Sequence, residues 1–138
     1  MEDGVFVKPQ SQLLAKVDYT EFSVEHYSDN VLLVHYKAPH DVDVALIEKV
    51  NTEIYRMVAE QPYVVIVFAE PGVNFTPEGR AYGAKKGHIG NKKAWAAVTD
   101  NLAQILVVNF FMRFNNPTIP FKLFKTEKEA RKWLNTFM

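Results

Sequence analysis

One segment limits what this chain can fold into. Leu102 to Phe114 (LAQILVVNFFMRF) is apolar on nearly every side. Read as a helix, it carries only Gln104, Asn109 and Arg113 as polar groups. Asn109 and Arg113 are four residues apart and share one face. A helix that is apolar all round is either buried on both sides or keeps an apolar face for a partner or a lipid. The rest of the chain must supply a large apolar layer, or leave surface for something else to cover.

The flanking sequence frames that helix. A short apolar strand at Ala94–Val98 meets a helix-start signal at Thr99-Asp100. A turn bounded by Pro117 and Pro120, a strand at Phe121–Phe124 and the capping box Thr126-Glu127-Lys128-Glu129 follow it. Ala130, Trp133, Leu134 and Phe137 form the buried stripe of the last helix. Upstream, Phe22, Val24 and His26 alternate with polar residues, the period of a half-buried strand. Ser28-Asp29-Asn30 then turns the chain into Val31–Tyr36, giving an antiparallel hairpin. Asp41 and Asp43 offer caps to an amphipathic helix in which Leu46, Ile47, Val50, Ile54, Met57 and Val58 recur at helical spacing. Tyr63–Phe68 (YVVIVF) is the continuous apolar run of a strand covered on both faces. Thr76-Pro77-Glu78 starts a helix that closes around Gly87 and Gly90. The order is β-β-α-β-α-β-α-β-α, an α/β fold with a mostly parallel or mixed sheet flanked by helices and right-handed crossovers. Residues 1–18 read as an N-terminal arm and residues 19–138 as the domain.

Composition narrows the function. The chain has 138 residues, 48% of them hydrophobic, which supports a single domain with a real core. Without cysteine there is no disulfide, thiolate metal site or thiol nucleophile. No signal peptide is visible, and the apolar segment is short of the roughly 20 residues that span a bilayer. A soluble cytoplasmic protein is the expectation. Residues 1–79 hold five Lys/Arg against thirteen Asp/Glu, and residues 80–138 hold eleven against three. That asymmetry suits either an anionic partner or acidic and basic elements that neighbour each other in the fold.

Catalytic signatures are missing: there is no GxGxxG, Walker loop, GxSxG or HExxH. His26 and His35 lie in the hairpin as strand histidines. His40 beside Asp41 and Asp43 sits where acids serve as caps, so neither a metal nor a cofactor is expected. Arg80, Lys85, Lys86, His88, Lys92 and Lys93 gather around Gly87 and Gly90, where a phosphate or an anionic head group could be held; a solvated helix end is the plainer explanation of them. Aromatic residues are not interleaved there, so nucleic acid is not expected. Arg113 with Asn109 either covers apolar surface with its stem or faces a cleft or a dimer seam.

The run AxxxVTDNxxxxxxxNFFxRFNxPxxPxxxFxTxxxAxxWL, from Ala94 through Leu134, resembles the SpoIIAA-like subfamily of STAS domains, which is also likened to the CRAL-TRIO lipid-transfer fold. Val73-Asn74-Phe75-Thr76, entering a helix after a buried strand, resembles the same family. The resemblance covers roughly Tyr19 to the C-terminus. It implies a non-enzymatic regulatory or binding domain. Regulatory members carry Asp-Ser-Ser-Gly where this chain has Thr76-Pro77-Glu78-Gly79. Thr76 is the only candidate phospho-acceptor, and its capping role already explains it, so the phospho-switch is not expected.

The leading expectation is an interaction module that pairs with a protein partner, or with itself, through the 102–114 helix, using Asn109, Phe110, Arg113 and Phe114. The alternative is an anionic lipid or other small ligand in a pocket beside that helix, its head group held by Arg113 or by Lys85, Lys86, Lys92 and Lys93.

Overall fold

The computed structural model describes residues 11–138. Three strands open it: Leu13–Asp18 (β1), Phe22–Tyr27 (β2) and Val31–Tyr36 (β3). The short strand Asp41–Val42 (β4) leads into helix Val44–Val58 (α1), then strand Tyr63–Ala69 (β5). Asn74–Phe75 (β6) precedes helix Pro77–Lys85 (α2) and strand Lys92–Val98 (β7). Helix Leu102–Phe110 (α3), strand Phe121–Phe124 (β8) and helix Glu127–Leu134 (α4) complete the order.

Six strands form the main sheet in the order β1-β2-β3-β5-β7-β8. The first three pair antiparallel, and β3, β5, β7 and β8 run parallel. This is the mixed, mostly parallel α/β fold that the sequence pattern implies. Two short strands, β4 and β6, pair with each other beside it. Leu13–Asp18, which the sequence reading placed in an N-terminal arm, is an edge strand of the sheet. Its register shifts between Leu13 and Ala15, which breaks the alternation that would otherwise announce a strand. Residues 1–10 of that arm lie outside the described residues.

The apolar run in β5 is buried on both sides because helices cover both faces of the sheet. Val65 points into one core with Phe22, Val24, Leu32, Val34 and Tyr36, against Leu46, Val50, Ile54 and Val58 of α1. Val64 and Ile66 point into the other, with Val31, Leu33, Ala94 and Ala96 against Ala130 and Leu134 of α4. Each fully buried aliphatic side chain contributes about 1.5–3 kcal/mol relative to exposure. These stripes fix which face each helix presents.

Side-chain caps set the helix starts. Asp43 accepts from the Leu46 amide at 2.9 Å, Thr76 from Gly79 at 2.9 Å and Thr126 from Glu129 at 3.2 Å. Thr126 also donates to the Glu129 carboxylate at 3.1 Å, closing the capping box. One buried acid, Glu53, is paired: it accepts from the Tyr19 hydroxyl at 2.7 Å and from Arg56 at 2.9 Å.

The start of α2 is pressed against β4. A Cβ on Gly79 would lie 2.4 Å from the Val42 carbonyl oxygen and 3.0 Å from Thr76 Oγ1. Backbone cannot give way as a flexible side chain can. Gly79→Ala is therefore expected to cost about 1–3 kcal/mol, read as a lower urea midpoint with an unchanged denaturant slope.

Candidate functional site

Helix α3 is held at its two ends. At its start, Asn101 is the cap, accepting from the Gln104 amide at 3.1 Å. The sequence signal at Thr99-Asp100 falls just before it; Thr99 instead accepts from the Asn101 amide at 3.1 Å and donates to the Gln104 side chain. Gln104 Nε2 donates to the Ala69 carbonyl at 2.7 Å, tying the helix to the end of β5. At the far end, Lys85 Nζ donates to the Asn116 carbonyl at 2.7 Å, and the Thr118 amide donates to the Ala84 carbonyl at 3.0 Å.

The single helix expected over 102–114 is not regular throughout. It is α-helical to Phe110 and passes into a π turn over Phe111–Asn115. Asn116 then takes the left-handed conformation (φ 51°), which stops the helix ahead of Pro117. The wider turn goes with Phe111 facing inward. Its ring meets Trp95 edge-on at 5.6 Å and Phe121 at 5.3 Å. Such turns recur at functional sites.

No residue of α3 itself is fully buried. Leu102 is 71% exposed, Leu106 62%, Phe110 47% and, beyond the helix proper, Phe114 63%. The four are spaced four residues apart and make one outer row. The Phe110 and Phe114 rings lie 4.6 Å apart. The Arg113 guanidinium sits 5.4 Å from the Phe114 ring, and that of Arg80 lies 5.4 Å from Phe110.

Beneath the helix is a cavity of about 120 Å³. Val34, Val65 and Val67 of the sheet, Val50 and Ile54 of α1, and Val107, Val108 and Phe111 above line it, and one side is open. A second space of about 120 Å³ adjoins it toward Gln104 and Thr99, sharing Val67, Phe75, Arg80, Ala97, Val107 and Val108. The first wall includes five polar side chains: Tyr36, Asn51, Arg80, Lys92 and Trp95. Asn51 is satisfied by the Gly87 carbonyl at 2.9 Å. Arg80 Nη1 donates to the Phe75 carbonyl at 2.5 Å, but its Nε has no partner among the described residues. Trp95 Nε1 has none either.

Lys92 is the unusual group on this wall. Its ammonium lies 4.2 Å from the centre of the Trp95 ring and 3.3 Å from His88 Nδ1. Among the described residues no carboxylate lies within ion-pair distance of it. Burial of its side-chain end pulls its pKa down to about 7. Burial, and then the charge of Lys92, pull His88 down to about 4.

Of the residues expected from sequence, Lys92 lines the cavity, and Phe110 and Phe114 lie in the outer row. Arg113 covers Phe114 and is solvent-exposed, as is Asn109. Lys85 is used in the tether, while Lys86 and Lys93 are exposed and line neither space. Thr76 caps α2. His40 Nδ1 lies 3.1 Å from the Lys37 carbonyl, Asp43 is occupied as a cap, and His35 stacks on Phe68 at 4.6 Å. Trp95 was not picked out by sequence reading, and Arg80 appeared only as one of the basic loop. The chain gives no local sign that the two share a wall. Their positions 15 residues apart meet only through the crossover from α2 to β7.

A mixed sheet with helices on both faces, and one exposed apolar helix standing over a small chamber, defines the class of domain. The chain belongs to the family described as a domain of unknown function (DUF7793), whose pattern matches residues 25–138. No curated protein matches it. Among solved structures it is similar to an uncharacterised protein of the DUF3478 family with a SpoIIAA-like fold from Shewanella loihica PV-4. The identity is 13%, covering 94% of this chain and 98% of that one, with a TM-score of 0.48. It is also similar to a protein of unknown function from Arthrobacter sp. FB24, at 16% identity over 81% of this chain and 97% of that one, with a TM-score of 0.30. No helix among the described residues is long and apolar enough to cross a membrane.

The depressed lysine makes stability depend on pH with a definite sign. With a folded pKa of about 7 against 10.5 for a free side chain, Lys92 binds its proton more weakly in the folded chain. Between those values the unfolded chain carries the extra proton, so stability rises with pH. Thermal melts from about pH 7 to about pH 9 are expected to show a climbing melting temperature that Lys92→Met flattens. A slope that survives the substitution unchanged contradicts this placement of Lys92.

Proposed function

We propose that this chain is a non-catalytic protein-interaction module whose docking face is the outer row of α3, and that the partner this row fits is a second copy of the chain. The observation that supports it is the exposure of Leu102, Leu106, Phe110 and Phe114 along one side of a helix with no buried residue. A contiguous apolar patch rimmed by polar groups marks an interaction surface. Rows at four-residue spacing form ridges that interdigitate with the same ridge on another helix, so the face is complementary to itself across a two-fold axis. Asn109 and Arg113 lie on the same helix run and would form the polar edge of such a contact. The lead that the STAS resemblance gives, a regulatory binding domain without chemistry of its own, agrees with this reading.

The magnitudes point to a weak pairing. Covering these half-exposed side chains yields on the order of 1 kcal/mol each, and association costs several kcal/mol of lost freedom. One helix row also covers less than the roughly 800 Å² per partner of a stable interface. Self-association should therefore be reversible and dependent on concentration. In sedimentation velocity, the wild-type protein is expected to move toward a dimer as concentration rises. The double substitution Leu106→Lys, Phe110→Ser should stay monomeric with stability changed by no more than about 1 kcal/mol, because both side chains are exposed. A wild-type protein that is monomeric at every accessible concentration removes the self-pairing proposal.

A second reading is favoured by a separate observation, the cavity on the inner side of the same helix. Concave, mostly apolar spaces with a few placed polar groups are the form that small-ligand sites take. In this reading the chamber between α3 and the sheet holds a small, largely apolar molecule.

A further inference from the structure

The wall of the first cavity carries Trp95 Nε1 and Arg80 Nε, which have no partner among the described residues, and the Lys92 ammonium, which meets His88 Nδ1 at 3.3 Å and the Trp95 ring but no counter-charge. All three can only donate: an ammonium and an indole N–H offer no acceptor, and neither does a guanidinium. The remainder of the wall is apolar apart from the satisfied Asn51 and the hydroxyl of Tyr36. An occupant that suits this wall brings acceptor atoms to one place and hydrocarbon everywhere else. Water can satisfy an N–H, but it does not supply the counter-charge that an ammonium needs when it is withdrawn from solvent.

We propose that the cavity beneath α3 binds a small apolar carboxylic acid, its carboxylate seated on the Lys92 ammonium and the Trp95 indole N–H and its hydrocarbon against Val65, Val67, Val107 and Val108. This inference rests on the ligand reading given above and adds the chemistry of the ligand's head. A carboxylate suits a wall on which the Lys92 ammonium has no carbonyl partner, while the Arg80 guanidinium, hydrogen-bonded to the Phe75 carbonyl and set against the Phe110 ring, adds a second positive charge beside it. A phosphate would press its further oxygens against the hydrocarbon that makes up most of the wall. Size sets the other limit. A space of about 120 Å³ is close to the engineered apolar cavity of roughly 150 Å³ that takes a benzene ring. A short acyl chain or one ring with a carboxylate is the scale of ligand it admits.

The state of Lys92 is consistent with this. Burial alone favours its neutral form. A carboxylate placed beside it favours the charged one and restores the proton. The bond formed is then a charge-assisted hydrogen bond in a water-poor space, the stronger kind.

Trp95 supplies the readout. The chain has two tryptophans, and Trp133 packs between Phe124 and Phe137 on the opposite face of the sheet. A Trp133→Phe background leaves Trp95 as the sole indole. In that background, pentanoate and 1-pentanol are titrated by fluorescence and by calorimetry, with and without Lys92→Met. Pentanoate is expected to bind roughly tenfold more tightly than the alcohol. Lys92→Met should erase that preference while pentanol still binds, which also shows that the variant's cavity is formed. If neither compound moves the Trp95 signal or gives heat, the ligand reading itself falls. If acid and alcohol bind equally, or if a folded Lys92→Met protein keeps the preference, the cavity binds ligands and the carboxylate anchor is overturned. Should Lys92→Met fail to fold, the acid-to-alcohol ratio in the parent decides alone.

Discussion

The fold depends on keeping β5 dry on both sides. A strand reading YVVIVF has no polar face to offer water, so the sheet that contains it needs a helical layer above and another below. On one side α4 does this alone, because Ala94, Ala96 and Ala130 are small enough for helix and sheet to approach closely. On the other side α1 covers the strands up to β5, and α2 lies next to it. The region over β5 and β7 is left to α3. That helix is fastened at its start by Gln104 and at its far end through Lys85 and Thr118, and between these points it does not settle on the strands. The cavity and the exposed row are two sides of one circumstance: a greasy helix suspended over a greasy sheet.

Lys92 makes that gap chemically distinctive. An apolar void is a packing loss, because its lining forgoes contacts on one side. Here a lysine at the first position of β7 puts an ammonium against the face of Trp95. The cation–π contact returns part of the lost hydration, and the neighbouring His88, itself held neutral by burial, can accept one of its protons. Neither is a counter-charge. A residue costly to place in such surroundings has a role in function more readily than in stability.

Much of the fold was legible in the sequence because its signals are local. Caps at Asp43, Thr76 and Thr126, the stripe Leu46-Val50-Ile54-Val58 and the double-faced run of β5 all express themselves within a few residues. What escaped was set by long-range contacts. β1 is a strand because β2 offers it an edge, and its bulge hides the alternation. The π turn follows from Phe111 reaching the pair Trp95 and Phe121, residues far off in sequence. The site divides along the same line. A surplus of apolar residues in the 102–114 segment, with Phe110 and Phe114 outward, could be read directly. That Lys92, and none of Lys85, Lys86 or Lys93, faces the interior depends on strand register at the start of β7, where Tyr63 pairs with Lys92 and the next pair along is Val64 with Ala94.

Because α3 is one helix thick, the space under it and the row on its outside share a wall. Val107 and Val108 bound the chamber from the same helix that carries Leu106 and Phe110 outward. Any molecule below that prefers one tilt of this wall, and any neighbour outside that prefers another, exert opposing leverage on it. By thermodynamic reciprocity each would change the other's affinity by the same factor. A roof fixed at its ends and spanning a gap between them is the mechanical form that permits such cross-talk.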